Sequence, residues 1–346
     1  MKKVVVAISG GLDSSVAAYL LQKKGYDVIG VFMRLGDFSI LSEMAARRLC
    51  NFLNIRFYTI DFSHQFQKSV IDYFLNSYKN GLTPNPCVYC NNFIKFGILL
   101  KFVKNIGSDF LATGHYLEVK KIKNNFHIFR SLDQKKDQSY FLYHLNQEKL
   151  KNILFPLGKF KKEKTKQIAI KNNIPFMQKE SQDICFLEGD HNVFLKKHLQ
   201  TKNGQIILRD AKSEENIGMH GGLMFYTLGQ RRGINLGGGG PFYVQGFDYE
   251  KNILYITKEK DDEVLYNDHI ETKKIHWVSS SEKKFPYSCE VSIRYHHEPI
   301  SCVIEKCEDY YLIKLKESQR AITPGQSMVF YKGREVLGGG LIEPFK

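Results

Sequence analysis

The chain opens on an apolar run, Val4-Val5-Val6-Ala7-Ile8, turns through Ser9-Gly10-Gly11-Leu12-Asp13-Ser14-Ser15, and enters a helix-like stretch at 14–24. The pattern then alternates: a strand at 27–33, a helix at 41–53, a strand at 56–61 and a helix at 64–79. A loop at 83–86 precedes a helical stretch at 90–105 and a strand that ends in Gly114-His115. Helices set between short apolar strands predict an α/β fold with a doubly wound parallel sheet. In such sheets ligands sit beyond the carboxyl ends of the strands, so Ser9, Met33 and Gly114-His115 are expected to converge on one crevice. Residues 119–145 read as a hairpin followed by a helix, and 161–173 as a helix rich in lysine.

From about residue 200 helical periodicity gives way to short alternating strands and glycine turns, including the run at 237–240. This texture predicts two small β domains, the last a β-barrel. The expected division is 1–200 for a catalytic α/β domain, 201–268 for a central β domain and 269–346 for the barrel.

Composition narrows the class. The 346 residues are 43% hydrophobic and 25% charged, ordinary for a water-soluble protein, and no stretch has the ~18 apolar residues of a membrane span. Seven cysteines, an odd number without a dense framework, suit reduced thiols and a cytoplasmic setting, with no membrane partner. The formal charge of +14 favours a polyanionic partner such as nucleic acid. Lys159, Lys161, Lys162, Lys164, Lys166 and Lys171 form either a solvated helix face or a phosphate-facing patch.

A strand, a glycine pair and a helix start make an anion cradle, with consecutive N–H groups and the positive end of the helix dipole facing one concavity. No Gly-Lys-Ser/Thr follows, and Gly-x-Gly-x-x-Gly is absent, so this is neither the Walker loop nor the dinucleotide fingerprint. It resembles the PP-loop of ATP pyrophosphatases, which split ATP to AMP and pyrophosphate while adenylating a substrate. Cys87-Val88-Tyr89-Cys90 and Cys185 flank loops in the same half of the chain, whereas Cys50, Cys289, Cys302 and Cys307 read as packing residues. A lone Cys-x-x-Cys is open to redox, metal-binding or inert readings.

Further motifs make the resemblance specific. Thr83-Pro-Asn-Pro-Cys-Val-Tyr-Cys-Asn91, Ile94-Lys-Phe96, Ala112-Thr-Gly-His-Tyr116, Lys136-Asp-Gln-Ser-Tyr-Phe-Leu142, Phe155-Pro-Leu-Gly158 and Ser181-Gln-Asp-Ile-Cys-Phe186 occur in order. Phe225-Tyr-Thr-Leu-Gly-Gln-Arg-Arg-Gly233, Ile293-Arg-Tyr295 and Gln319-Arg-Ala-Ile-Thr-Pro-Gly-Gln326 follow. Across nearly its whole length the chain resembles the tRNA-specific 2-thiouridylases of bacteria and organelles.

That resemblance implies an adenine nucleotide alpha hydrolase-like first domain and ATP-dependent transfer of sulfur to C2 of the wobble uridine in tRNAs for lysine, glutamate and glutamine. ATP would lie on Ala7, Ile8, Ser9, Gly10, Gly11, Leu12, Asp13, Ser14, Met33 and Gly114, with Asp13 suited to magnesium. Cys185 would carry a persulfide and Cys90 would be the nucleophile that resolves it. Asn85, Pro86 and Cys87 would frame the target base. His115, Lys136, Asp137, Gln138, Arg294, Tyr295 and Gln326 would contact tRNA, and Arg231 and Arg232 are additional candidates for its phosphates. A persulfide donor or sulfur-relay protein is the implied partner, and the chain would act as a monomer.

One position departs from the pattern. Where most such enzymes carry Asp as the acid/base group, this chain has Cys87, whose free pKa near ~8.5 against ~3.9 makes it a different proton carrier at neutral pH. Cys87, Cys90 and Cys185 also raise an alternative, an iron–sulfur cluster with one open iron. The rivals are another PP-loop RNA-modifying enzyme and a non-catalytic RNA-binding protein.

Overall fold

A computed structural model describes residues 1–178, 184–187, 189–210, 213–234, 236–237, 240–279 and 283–345. Ser181-Gln-Asp183 of the motif at 181–186, and Gly238-Gly239 of the glycine run, lie outside the described residues. The first sheet is built from β1 (Lys3–Ala7), β2 (Asp27–Arg34), β3 (Arg56–Asp61), β4 (Phe110–Ala112) and β5 (Ile153–Leu154). Its order is β3-β2-β1-β4-β5 and every pairing is parallel, so the strand order reverses direction between β1 and β4.

The apolar run explains this placement. Val4, Val6 and Ile8 join a buried cluster with Val16, Ala17 and Leu21 of helix α1 (Leu12–Lys23) and Leu49 of helix α2 (Ile40–Leu53). Val5 points the other way, into a cluster with Phe66, Phe74, Phe96 and Leu99. A strand covered on both faces needs no polar alternation, and each buried valine stabilises the fold by about 1.5–3 kcal/mol.

Two expected helices have interrupted geometry. The stretch expected at 64–79 consists of Ser63–Phe66, a π-helical segment Gln67–Ile71 and Asp72–Lys79. The stretch expected at 90–105 begins earlier, at Pro86–Tyr89, becomes π-helical over Cys90–Leu99 and ends as Leu100–Asn105. Pro86 starts the turn because its fixed φ suits a first helical position. The lysine-rich helix is present as α3 (Lys162–Lys171).

The hairpin forms, from Leu117–Ile122 and Asn125–Arg130, and adds to a distant sheet: Ile128 and Phe129 pair with Val336 and Glu335. The helix expected after it is replaced by the short turns Ser139–Leu142 and Gln147–Leu150. The middle of the chain forms a four-stranded sheet, and the C-terminal strands with the hairpin form a nine-stranded one. The latter covers a core that includes Ile270, Val291, Ile304, Ile313, Met328 and Phe330. Cys50 and Cys302 are buried packing residues, as expected, and Cys302 faces Cys289 across paired strands with 3.6 Å between sulfurs.

Hydrogen bonds fasten this C-terminal sheet to the first domain. The Tyr140 hydroxyl donates to the Ser327 carbonyl at 2.6 Å, the Thr83 N–H to the Pro324 carbonyl at 2.9 Å, and the Gln326 side-chain amide to the Thr83 carbonyl at 2.9 Å. At the same junction the His144 and His276 rings lie 5.2 Å apart, and burial pushes His144 down to about 3, with His276 and Lys149 opposing its charge. The unfolded chain then binds a proton that the folded one excludes between pH ~6.5 and about 3, so stability falls as pH drops through that window. At pH 5, His144 alone is expected to cost about 2 kcal/mol, measurable by urea unfolding, and His144→Gln should flatten the acid limb.

Candidate active site

The phosphate cradle lies where the strand order reverses. Gly10 has φ +79°, and a Cβ there would stand 2.6 Å from the Ser42 carbonyl oxygen, so the turn requires glycine. The loop is fastened from within: Ser9 N–H donates to Ser14 Oγ at 3.1 Å, and the Ser14 and Ser15 hydroxyls donate back to the Gly11 carbonyl at 3.1 and 2.9 Å. The first-turn N–H groups of α1 have no partner within the helix and face outward beyond β1. Ala7 and Ile8 lead into the loop, and Met33 ends the neighbouring strand beside Arg34.

Gly114 proves to serve the loop itself. A Cβ at Gly114 would come within 2.7 Å of the Asp13 carbonyl carbon and the Ser14 nitrogen, so its bare backbone makes room for the cradle.

Asp13 is engaged from two sides. Lys162 Nζ lies 2.8 Å from both carboxylate oxygens, and the buried Tyr116 hydroxyl donates to Oδ1 at 2.8 Å. Lys162 enters from the first turn of α3, its own N–H held by Asp133 at 2.9 Å. Asp13 therefore fits a clamp that aims a lysine at the cradle. Among the described residues Oδ2 accepts only from Lys162, so the carboxylate keeps lone pairs with which it could also hold magnesium, and no step below passes through a metal.

The thiols lie on the adjacent elements. Cys87 is in the turn that starts at Pro86, and Cys90 begins the π-helical segment, 7% exposed beside Val88 and Phe186 in one core. Cys90, which flanks a loop in the sequence, is enclosed by this helical segment. Cys185 is anchored by Phe186, whose ring meets Phe66 and Phe74 at 5.8 and 5.4 Å. It lies at the surface on one side, while protein crowding the other lifts its thiol to about 12, with Cys90 and then Cys87 adding to the effect. Burial likewise lifts Cys90 to about 11 and raises Cys87.

Lys95 is the cation that counteracts this at all three sulfurs, and it lowers His115 further below the usual imidazole range, after burial. It has no hydrogen-bond or ion-pair partner among the described residues. Replacing it with Met is expected to slow alkylation of Cys90 and Cys185 about tenfold at pH 8, with Arg restoring the rate, as read by peptide mass spectrometry. Among the described residues no three His, Cys, Asp or Glu side chains form a group that could hold a metal ion.

His115 is neutral, bonded through Nδ1 to the Thr113 hydroxyl at 2.7 Å. Asp137 is 6% exposed and accepts from Ser131 N–H at 2.7 Å and the Ser139 hydroxyl at 2.7 Å, so its carboxylate is an internal brace. Gln138 accepts from Tyr116 N–H at 3.0 Å, and Lys136 is half-buried beside them. Tyr295 reaches from the C-terminal sheet to donate to the Asp137 carbonyl at 3.0 Å, and its hydroxyl is pushed up to about 12 by burial, then by Asp137 and Cys87. Tyr295 thus stands over the Cys87 side of the site, Gln326 holds the loop leading to Asn85, and Arg294, Arg231 and Arg232 are exposed. Lys162 and Lys95 had only weak signals in sequence, one inside a run of lysines and the other inside a short motif.

A fastened anion cradle at the switch point of a parallel sheet defines a nucleotide-binding α/β domain. Family models match in the same order: a tRNA methyl transferase HUP domain over residues 2–189, a PRC-barrel domain over 192–258 and an aminomethyltransferase beta-barrel domain over 267–342. The chain is 41% identical over 357 residues to a tRNA-specific 2-thiouridylase of Clostridium tetani, covering 99% of each, and 40% identical over 354 residues to that of Bacillus subtilis, covering 99% of this chain and 95% of the relative. It belongs to the tRNA-specific 2-thiouridylase family.

Proposed function

We propose that this chain replaces the C2 oxygen of the wobble uridine in tRNA with sulfur, using ATP. The observation that carries this reading is a pair of adjacent residues. Gly114 packs on the phosphate cradle, and the His115 ring, next in sequence, lies 5.9 Å from the ring of Phe96, the neighbour of Lys95 on the helical segment that Cys90 begins, so an activating site and a sulfur site are neighbours.

A uracil carbonyl is a poor electrophile with a poor leaving group. Attack of its O2 on the α-phosphate of ATP forms an O-adenylyl uracil and expels pyrophosphate, whose charge the cradle and Lys162 are placed to take. The terminal sulfur of a Cys185 persulfide then adds to C2, and AMP leaves with the former carbonyl oxygen. Cys90 attacks the inner sulfur, which breaks the S–S bond, releases the thiolated base and leaves a Cys90–Cys185 disulfide for an external dithiol to reduce. Both thiols start protonated, so Lys95 supplies the positive field that favours their anions. Cys87 is the proton carrier beside the base, with Asn85 and Pro86 framing it. Magnesium would arrive with the triphosphate and neutralise part of its charge.

The sulfur comes from a separate persulfide donor, and the single chain carries both sites. Incubating the protein with ATP, magnesium, a small-molecule persulfide and unmodified tRNA should yield 2-thiouridine by nucleoside mass spectrometry. ATP-dependent binding of tRNA without product would contradict the reading.

A further inference from the structure

Two strands of the C-terminal sheet, Tyr287–Ser292 and Ile300–Lys306, run antiparallel, and their register sets Cys289 directly opposite Cys302. The two sulfurs are in contact at 3.6 Å, and the S–H of one donates to the other. Cys302 is 4% exposed in the core of this sheet, whereas Cys289 is half-buried at the margin of that core.

Directly opposed residues of an antiparallel pair have Cα atoms ~4.5 or ~5.5 Å apart, and both spacings fall within the ~4.4–6.8 Å that a disulfide spans. Closing the bond then takes side-chain rotation that brings the sulfurs from 3.6 Å to about 2.05 Å, with the backbone left in place.

The chemistry is the exchange of one disulfide for another. The Cys289 thiolate, on the reachable side, attacks one sulfur of a small-molecule disulfide and expels the first thiolate. The Cys302 thiolate then attacks the Cys289 sulfur of that mixed disulfide, forms the cross-strand S–S bond and expels the second. The protein gives up two electrons and two protons, and the oxidant leaves as two thiols. The hydrogen bond to Cys302, and then burial, raise the Cys289 thiol above its usual range, so the exchange is slow at neutral pH.

We infer that Cys289 and Cys302 are a second redox-active dithiol, separate from Cys90 and Cys185, which closes to a disulfide and staples the hairpin that carries Tyr295. The first strand runs on through Ile293-Arg294 to Tyr295, whose hydroxyl donates to the Asp137 carbonyl at 3.0 Å, so the cross-link closes residues 289–302 into a ring that contains this contact. The assignment stands on the sheet register and the sulfur contact, and it holds whatever the substrate of the first domain.

The test incubates the full-length protein with oxidised glutathione at pH 8.5, blocks the remaining thiols and digests with trypsin without reduction. Cleavage after Lys284, Arg294 and Lys306 puts Cys289 and Cys302 on separate peptides, 285–294 and 295–306, which mass spectrometry should find joined. The thermal midpoint of the oxidised protein is expected to rise by about 5 °C, and amides of the hairpin should exchange at least about tenfold more slowly. Cys289→Ser should show neither change, and Cys302→Ser should instead hold glutathione on Cys289. Cys90→Ala should form the joined peptides as the wild type does. Recovery of the two wild-type peptides unjoined, whether blocked or each carrying its own glutathione, would overturn the inference. Loss of the cross-link in Cys90→Ala would tie it to the catalytic thiols and overturn their separation.

Discussion

Cys185→Ala is expected to lower 2-thiouridine formation at least about 10³-fold, while ATP-dependent release of pyrophosphate on tRNA continues, because the substitution removes the sulfur carrier and leaves the activating site whole. Phe186 holds this segment in the aromatic core with Phe66 and Phe74, so removing the neighbouring thiol from a partly exposed position should leave the fold standing. Cys90→Ala should give a different failure. The persulfide can still add to C2, but no thiol then breaks the bond to the inner sulfur, so a covalent enzyme–tRNA adduct through Cys185 is expected to accumulate. Gel shift with and without a reducing agent separates the two variants. Equal thiolation by Cys185→Ala and wild type would remove Cys185 from the mechanism.

Lys162→Met is expected to produce the opposite partition. Lys162 Nζ spans both oxygens of Asp13 at 2.8 Å, and its side chain is only 17% exposed, so the charge is fixed beside the loop rather than moving in solvent. A preorganised donor of this kind contributes about 10²–10³ in turnover when it faces developing negative charge. Pyrophosphate release should fall by that factor, with alkylation of Cys90 and Cys185 unchanged. Asp13→Asn should give a smaller loss of the same type, since the lysine survives but loses the carboxylate that aims it. A loss of thiol reactivity in Lys162→Met, with normal pyrophosphate release, would place the lysine at the wrong site.

The parts of this molecule legible in its sequence are those set by local rules. The run Val4–Ile8 announced a strand, Gly10-Gly11 a turn, and the alternation beyond it a parallel sheet. Non-local events were hidden. Nothing in residues 117–130 says that their hairpin extends a sheet whose other strands lie some 200 residues later in the chain, at Glu335–Leu341. Nor could periodicity reveal that Cys90 begins a π-helical segment, since a π turn differs from an α turn by a single residue. Asp137 reads as a polar residue in a motif, yet its carboxylate is enclosed by Ser131 and Ser139, a loop closure that residue types and periodicity do not announce. Lys162 was one lysine of six, and Asp13, 149 positions away, selects it. Residue types named the chemistry, and tertiary contacts assigned the roles.

The central claim is that O2 of the uridine leaves as part of AMP. Unmodified tRNA carrying oxygen-18 at C2 of the wobble uridine, incubated with ATP and a persulfide donor, tests it in one measurement of AMP by mass spectrometry. The account predicts one heavy oxygen in AMP for each 2-thiouridine formed. Full thiolation with unlabelled AMP would contradict it.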